Sequence, residues 1–145
     1  MAKTKIILCD TNILFELFED NPLMVDELNR IGYSRLAVSA VSVMETYYGM
    51  LEQEREETVA HLAKFDVYHI TKDVSVLAMQ LMNGFRQYHP GIADCLIAAT
   101  AITNGLDLFT FNQKHFSYYK QEGLRFYKPK NGFRQLEGSA KKSGT

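Results

Sequence analysis

The chain has 145 residues, 46% of them apolar and 23% charged, a balance that suits one globular domain with its own core and argues against two. It lacks an apolar run of about 18 residues, and Met1 to Lys5 has no charged-then-apolar leader layout, so neither a membrane span nor a secretory signal is expected and the cytoplasm is the expected location. The net charge of −1 hides an asymmetry: residues 1–112 hold 8 Lys and Arg against 15 Asp and Glu, while residues 113–145 hold 8 against 2.

Lys5-Ile6-Ile7-Leu8-Cys9 is a continuous apolar run ended by Asp10-Thr11-Asn12, the pattern of a strand buried on both faces that turns into a helix. Ile13, Leu14, Phe15, Leu17 and Phe18 continue as a short helix, Asn21-Pro22 breaks it, and a second amphipathic stretch runs to Ile31 and Gly32. Leu36 to Ser39 reads as a second strand. Ser42 then opens a helix bearing Val43, Met44, Tyr47, Tyr48 and Leu51, and a charged stretch from Glu52 to Glu57 leads into helical periodicity at Val59, Leu62, Ala63 and Phe65. A short strand is expected over residues 67–70. Asp73 or Ser75 can cap a long helix that runs to the His89-Pro90-Gly91 break. A further helix starts at Ile92 and ends at Asn104-Gly105, followed by a fourth strand over 107–111 and a possible fifth over 125–127. This succession predicts a three-layer α/β/α domain with a mostly parallel sheet of four to five strands over residues 1–128. Residues 129–145 read as a basic flexible tail. Its Lys128, Lys130, Arg134, Lys141 and Lys142 either meet a polyanion or are simply solvated.

In such a sheet ligands bind beyond the carboxyl ends of the strands. Three acidic residues are expected there: Asp10 after strand one, Glu45 in the first turn of the helix after strand two, and Asp94 in the first turn of the helix before strand four. Each has a plainer explanation. Asp10 can cap a helix, and Ser42-Val43-Met44-Glu45 fits a capping box. Asp94 is harder to dismiss, because Ile97, Ala98, Ala101 and Ile102 share its helical face, and a buried carboxylate needs a cation or hydrogen bonds. A helix dipole offsets only roughly 1 kcal/mol of that cost. Cys9 and Cys95 form no metal-binding or disulfide spacing and are expected to be reduced, semi-buried thiols. Oxygen-only ligands favour Mg²⁺ or Mn²⁺, and a carboxylate-held ion of this kind points to phosphodiester hydrolysis. Phosphate-binding glycine motifs are absent.

Ile7 to Leu14, then Val41-Ser42-Val43-Met44-Glu45 with Gly49, then Ala93 to Ala101, and last Thr110-Phe111-Asn112 with Phe116 resemble, in order, the four motifs of PIN-domain ribonucleases, most closely the VapC-type toxins. The resemblance implies an α/β/α fold, Mg²⁺- or Mn²⁺-dependent cleavage of single-stranded RNA, a homodimer and a small antitoxin partner. Carried over by position, Asp10, Glu45 and Asp94 hold the metal, while Asn12 and Ser42 support those carboxylates by hydrogen bonds. Thr110 and Asn112 belong to the fourth motif. The family often has aspartate at the place of Asn112 or of His115, so this chain has three acids where four are usual. Either Asn112 ligates through a water or His115 contacts substrate, and a second metal is left open. The missing acid also motivates the alternative of a non-catalytic PIN-like module that binds RNA or protein. Tyr47, Tyr48, Phe111, Phe116, Tyr118 and Tyr119 can stack on unpaired bases, although most are expected in the core or at a dimer surface. Asp107 precedes strand four and is expected at the far end of the sheet.

Overall fold

The apolar run before Asp10 becomes β1 (Ile7–Cys9), buried along its whole length at the centre of the sheet. The computed structural model describes residues 5–138. Around β1 lie β2 (Leu36–Ser39), β3 (Asp66–Tyr68), β4 (Asp107–Phe109) and β5 (Arg125–Phe126), in the order β3-β2-β1-β4-β5, with every pairing parallel. Between the strands run α1 (Thr11–Phe18) and α2 (Pro22–Ile31), α3 (Ala40–Gly49) and α4 (Arg55–Leu62), then α5 (Lys72–Gly84) and α6 (Ile92–Asn104); α7 (Phe133–Leu136) follows β5.

Strand side chains alternate between two cores, as the pleat requires. Ile7, Cys9, Leu36 and Val38 pack with α1 and α2, whereas Leu8, Ala37 and Leu108 pack with α5 and α6. Helices thus cover both faces. The chain moves outward from β1 to β2 to β3, then crosses to β4 and β5 on the other side, so the strand order reverses between β1 and β4. That reversal opens a crevice at the carboxyl ends of these two strands.

Several boundaries differ from expectation for identifiable reasons. Ser39, not Ser42, caps α3: its Oγ accepts from Ser42 N at 3.1 Å, so the helix begins at Ala40 and the Ser42/Glu45 capping box does not form. Glu45 consequently sits in the second turn. Thr71 caps α5 in place of Asp73 or Ser75, with Oγ1 accepting from Val74 N at 3.3 Å. The fourth strand stops at Phe109, because Thr110 Oγ1 accepts from Asn112 N at 3.0 Å and turns the chain. Cys9 and Cys95 are free but fully buried.

The expected tail is anchored over its first part. Leu136 is fully buried, its carbonyl accepts from Asn21 Nδ2 at 2.7 Å, and Lys130 N donates to Glu27 Oε2 at 3.2 Å. Phe133 packs on Phe109 and Phe111, with ring centroids 6.4 and 6.1 Å apart. Two apolar residues outweigh the polar composition of the segment. Lys128, Lys130 and Arg134 lie exposed on this packed stretch, while Lys141 and Lys142 lie outside the described residues.

Candidate metal centre

Register places Asp10. Cys9 of β1 pairs with Phe109 of β4, so the residues that follow the two strands meet at the reversal, and Asp10 Oδ2 accepts from Thr110 Oγ1 at 2.7 Å. Its Oδ1 accepts from Thr11 N at 2.8 Å and caps α1. The capping explanation therefore holds, but it does not exhaust the residue, because Asp10 also lines an open cavity of about 770 Å³. Glu45 and Asp94 line the same cavity, as do Asn12 and Asn112. Ser42 and Thr110 lie fully buried beneath it, and His115 stands outside it, on the far side of Asp94.

The supports of the carboxylates run through two threonines. Thr11 Oγ1 donates to Glu45 Oε1 at 2.7 Å and lies 2.8 Å from Ser42 Oγ. Asn12 Nδ2 donates to Thr110 Oγ1 at 3.4 Å, and Asn12 Oδ1 accepts from Phe111 N at 3.4 Å. Asn12 and Ser42 hence reach Asp10 and Glu45 only through Thr110 and Thr11. Sequence reasoning gave Thr11 no role of its own. A hydroxyl directly after the candidate ligand Asp10 is the signal that the sequence offers for it.

Electrostatics set Asp10 and Asp94 apart from surface carboxylates. Asp10, 5% exposed, is pushed up to about 6 chiefly by burial, with Asp94 and Glu45 adding to the rise and the Thr110 and Thr11 hydrogen bonds opposing it. Half-buried Asp94 is also raised, again chiefly by burial, with His115 partly offsetting the effect and Glu45 reinforcing it. Yet among the described residues neither Lys, Arg nor His lines the cavity. A buried carboxylate that shares a cleft with two others and faces no basic side chain calls for a cation from outside the chain. The donor set is all oxygen, which suits a hard divalent ion.

The oxygens of the three acids do not all come within 4.8 Å of one another, a spread that suits an ion keeping part of its water shell. Among the described residues, the group that does close within 4.8 Å is Asp20, Glu57 and His61 on the outer surface. Its His61 Nε2 lies 3.8 Å from Glu57 as an i,i+4 pair on α4, which an ordinary helix-surface ion pair explains. The aromatic set divides. Phe116 and Tyr119 are core, Phe111 packs on Phe133, and Tyr48, 94% exposed, stands at the cavity wall. Asp107 lies at the opposite end of the sheet, paired with Arg125 Nε at 3.0 Å and Lys5 Nζ at 3.9 Å.

The PIN domain family's sequence profile matches residues 7–121. A protein named ribonuclease VapC10 from Mycobacterium tuberculosis is 40% identical over 88 residues, covering 59% of this chain and 66% of that relative, just under two thirds of its length. Another protein from that organism, ribonuclease VapC19, is 31% identical over 117 residues, covering 77% of this chain and 93% of the relative. Among solved structures, a toxin-antitoxin complex from Klebsiella pneumoniae contains a chain similar to this one at a TM-score of 0.67 and 28% identity, over 77% of this chain and 90% of that chain.

Proposed function

The chain belongs to the PIN domain family, and from that premise we propose that it is a divalent-metal-dependent endoribonuclease that cuts single-stranded RNA, a toxin of the VapC type restrained by a small antitoxin. The observation that carries this reading is the convergence of Asp10, Glu45 and Asp94 on one cavity at the strand reversal that, among the described residues, no basic side chain lines. Asp10 and Asp94 would hold Mg²⁺ or Mn²⁺, and Glu45 would orient it or its water. When bound, such an ion polarises the phosphate and lowers the pKa of a water.

The chain's own residues prepare that chemistry. Thr110 and the Thr11 N–H lock both oxygens of Asp10, and Thr11 fixes one oxygen of Glu45, so the ligands are held before substrate arrives. The exposed apolar wall of Met44, Tyr48 and Ile92 suits the face of an unpaired base. In-line attack of water on the phosphorus, with departure of the 3′-oxygen, leaves a 5′-phosphate on the product. A homodimer completes the proposal. Among the described residues no helix is long and apolar enough to cross a membrane.

The exposed Asn112 in place of a fourth acid favours one rival, a PIN-like module that binds RNA or protein without cutting it. Incubation of the purified protein with single-stranded RNA separates the two. Cutting is expected with Mn²⁺ or Mg²⁺, none with EDTA, and none from Asp10→Asn or Asp94→Asn in either metal. Cutting that persists in EDTA or in both variants would remove the metal reading.

A further inference from the structure

Asp94 is a shared wall. On its other side lies a second open cavity, of about 600 Å³, lined by His89, Lys114 and His115 together with Tyr88 and Tyr118. The distribution of charge across Asp94 is one-sided: among the described residues, the basic side chains that line these two cavities all lie in the second and none in the first. His89, Lys114 and His115 are exposed, and among the described residues none of them is in an ion pair. The cavity also has a flat aromatic wall. Tyr88 and Tyr118 stack at 4.5 Å with their planes 6° apart, and Phe85 backs Tyr118 at 5.6 Å, so the wall is formed in advance, with Tyr88 53% exposed.

We propose that this second cavity binds the nucleotide next to the scissile phosphate, with Lys114 and His115 on its phosphate and the Tyr88/Tyr118 pair under its base. The proposal rests on the ribonuclease reading and assigns the substrate's path. A polyanion that delivers one phosphate to three carboxylates must place its neighbouring phosphate where charge favours it, and within these two cavities that place is beyond Asp94. A flat aromatic pair beside cations is also how unpaired bases are held, and a paired base has no face free to use it. An acidic peptide would satisfy the cations but would leave the aromatic wall without a function.

The chain contains no tryptophan, so Tyr88→Trp supplies a single reporter in this cavity. A single-stranded 12-mer RNA is expected to quench its fluorescence, and the Lys114→Ala/His115→Ala double variant is expected to weaken that binding about tenfold. In Mn²⁺-dependent cleavage Lys114→Ala raises KM several-fold with kcat little changed, and it flattens the slope of log(kcat/KM) against log[salt] by about 0.7, as the loss of one phosphate contact requires. Lys114→Arg retains most of the wild-type KM. If the wild type cleaves but the variants keep its KM and salt slope, the subsite falls and the nuclease stands. If the wild type fails to cleave yet RNA still quenches the Trp reporter in a Lys114-dependent way, the nuclease falls and the subsite stands as an RNA site. Quenching by a decaglutamate peptide and not by RNA overturns the proposal.

Discussion

At Asp10, burial opposes the charge that metal ligation requires. Its folded pKa, about 6, lies above the ordinary 3.8, so the stability linked to its proton is fully present below about pH 4 and is lost as pH rises through about 6. In the metal-free protein the ionised carboxylate therefore costs up to about 3 kcal/mol at neutral pH. Asp10→Asn should raise the melting temperature in EDTA at pH 7.5, with the gain shrinking toward pH 4. Metal reverses the sign. Since ligation needs the ionised form, Mn²⁺ affinity by calorimetry should fall about tenfold per pH unit below about 6, and a flat affinity between pH 5 and 7 would contradict this account. Thr11 gives a second check at this scale. Thr11→Val removes the donor to Glu45 and should weaken Mn²⁺ binding or cleavage by about 10- to 100-fold, while Thr11→Ser retains both. Pattern in the sequence picked out the three acids and put Thr110 in the fourth motif, but which carboxylate Thr110 and Thr11 each hold was not legible, because a hydroxyl's partner depends on which element comes to lie beside it.

Among the elements, α2 and the segment that follows β5 are joined by one buried carboxylate. Glu27 Oε2 accepts from Arg30, from the Tyr127 hydroxyl and from Lys130 N, while Oε1 is buried with no hydrogen-bond partner among the described residues. Burial and the adjacent Glu27 push the Tyr127 hydroxyl up to about 12, so it stays a donor throughout the working range. Tyr127→Phe should cost about 1–2 kcal/mol in urea denaturation, and Glu27→Ala should cost more, since it unties three donors at once. Equal or smaller losses for Glu27→Ala would show the cluster to be neutral. The limits of α6 were legible, because Gly105 adopts φ 65° just past Asn104, a conformation that glycine takes without strain. The start of α3 was not. Ser39 and Ser42 can both cap, and the choice went to the one that ends β2 in register with β3.

Over the whole molecule, the segment after β5 closes the face formed by α1 and α2. Leu136→Ala should cost about 2–4 kcal/mol, as a fully buried leucine does when little can collapse into its place. Deletion of residues 131–145 should lower the melting temperature further, because it also uncovers Phe109 and Phe111, and an unchanged melting temperature would show that the segment does not hold the core.

The amino-acid order alone determined the parallel α/β class, all five strands to within two residues, and which three acids meet on one cavity. Those features are local: an apolar run needs cover on both faces, and helical periodicity and caps are written within a few neighbours. Only the tertiary structure decided the strand order, the Thr110 and Thr11 bonds that reach across 100 and 34 positions to Asp10 and Glu45, the basic cavity beyond Asp94, and the anchoring of Leu136. Each of these arises where remote segments are brought together by the pairing of the whole sheet, and no short window of residues carries that information.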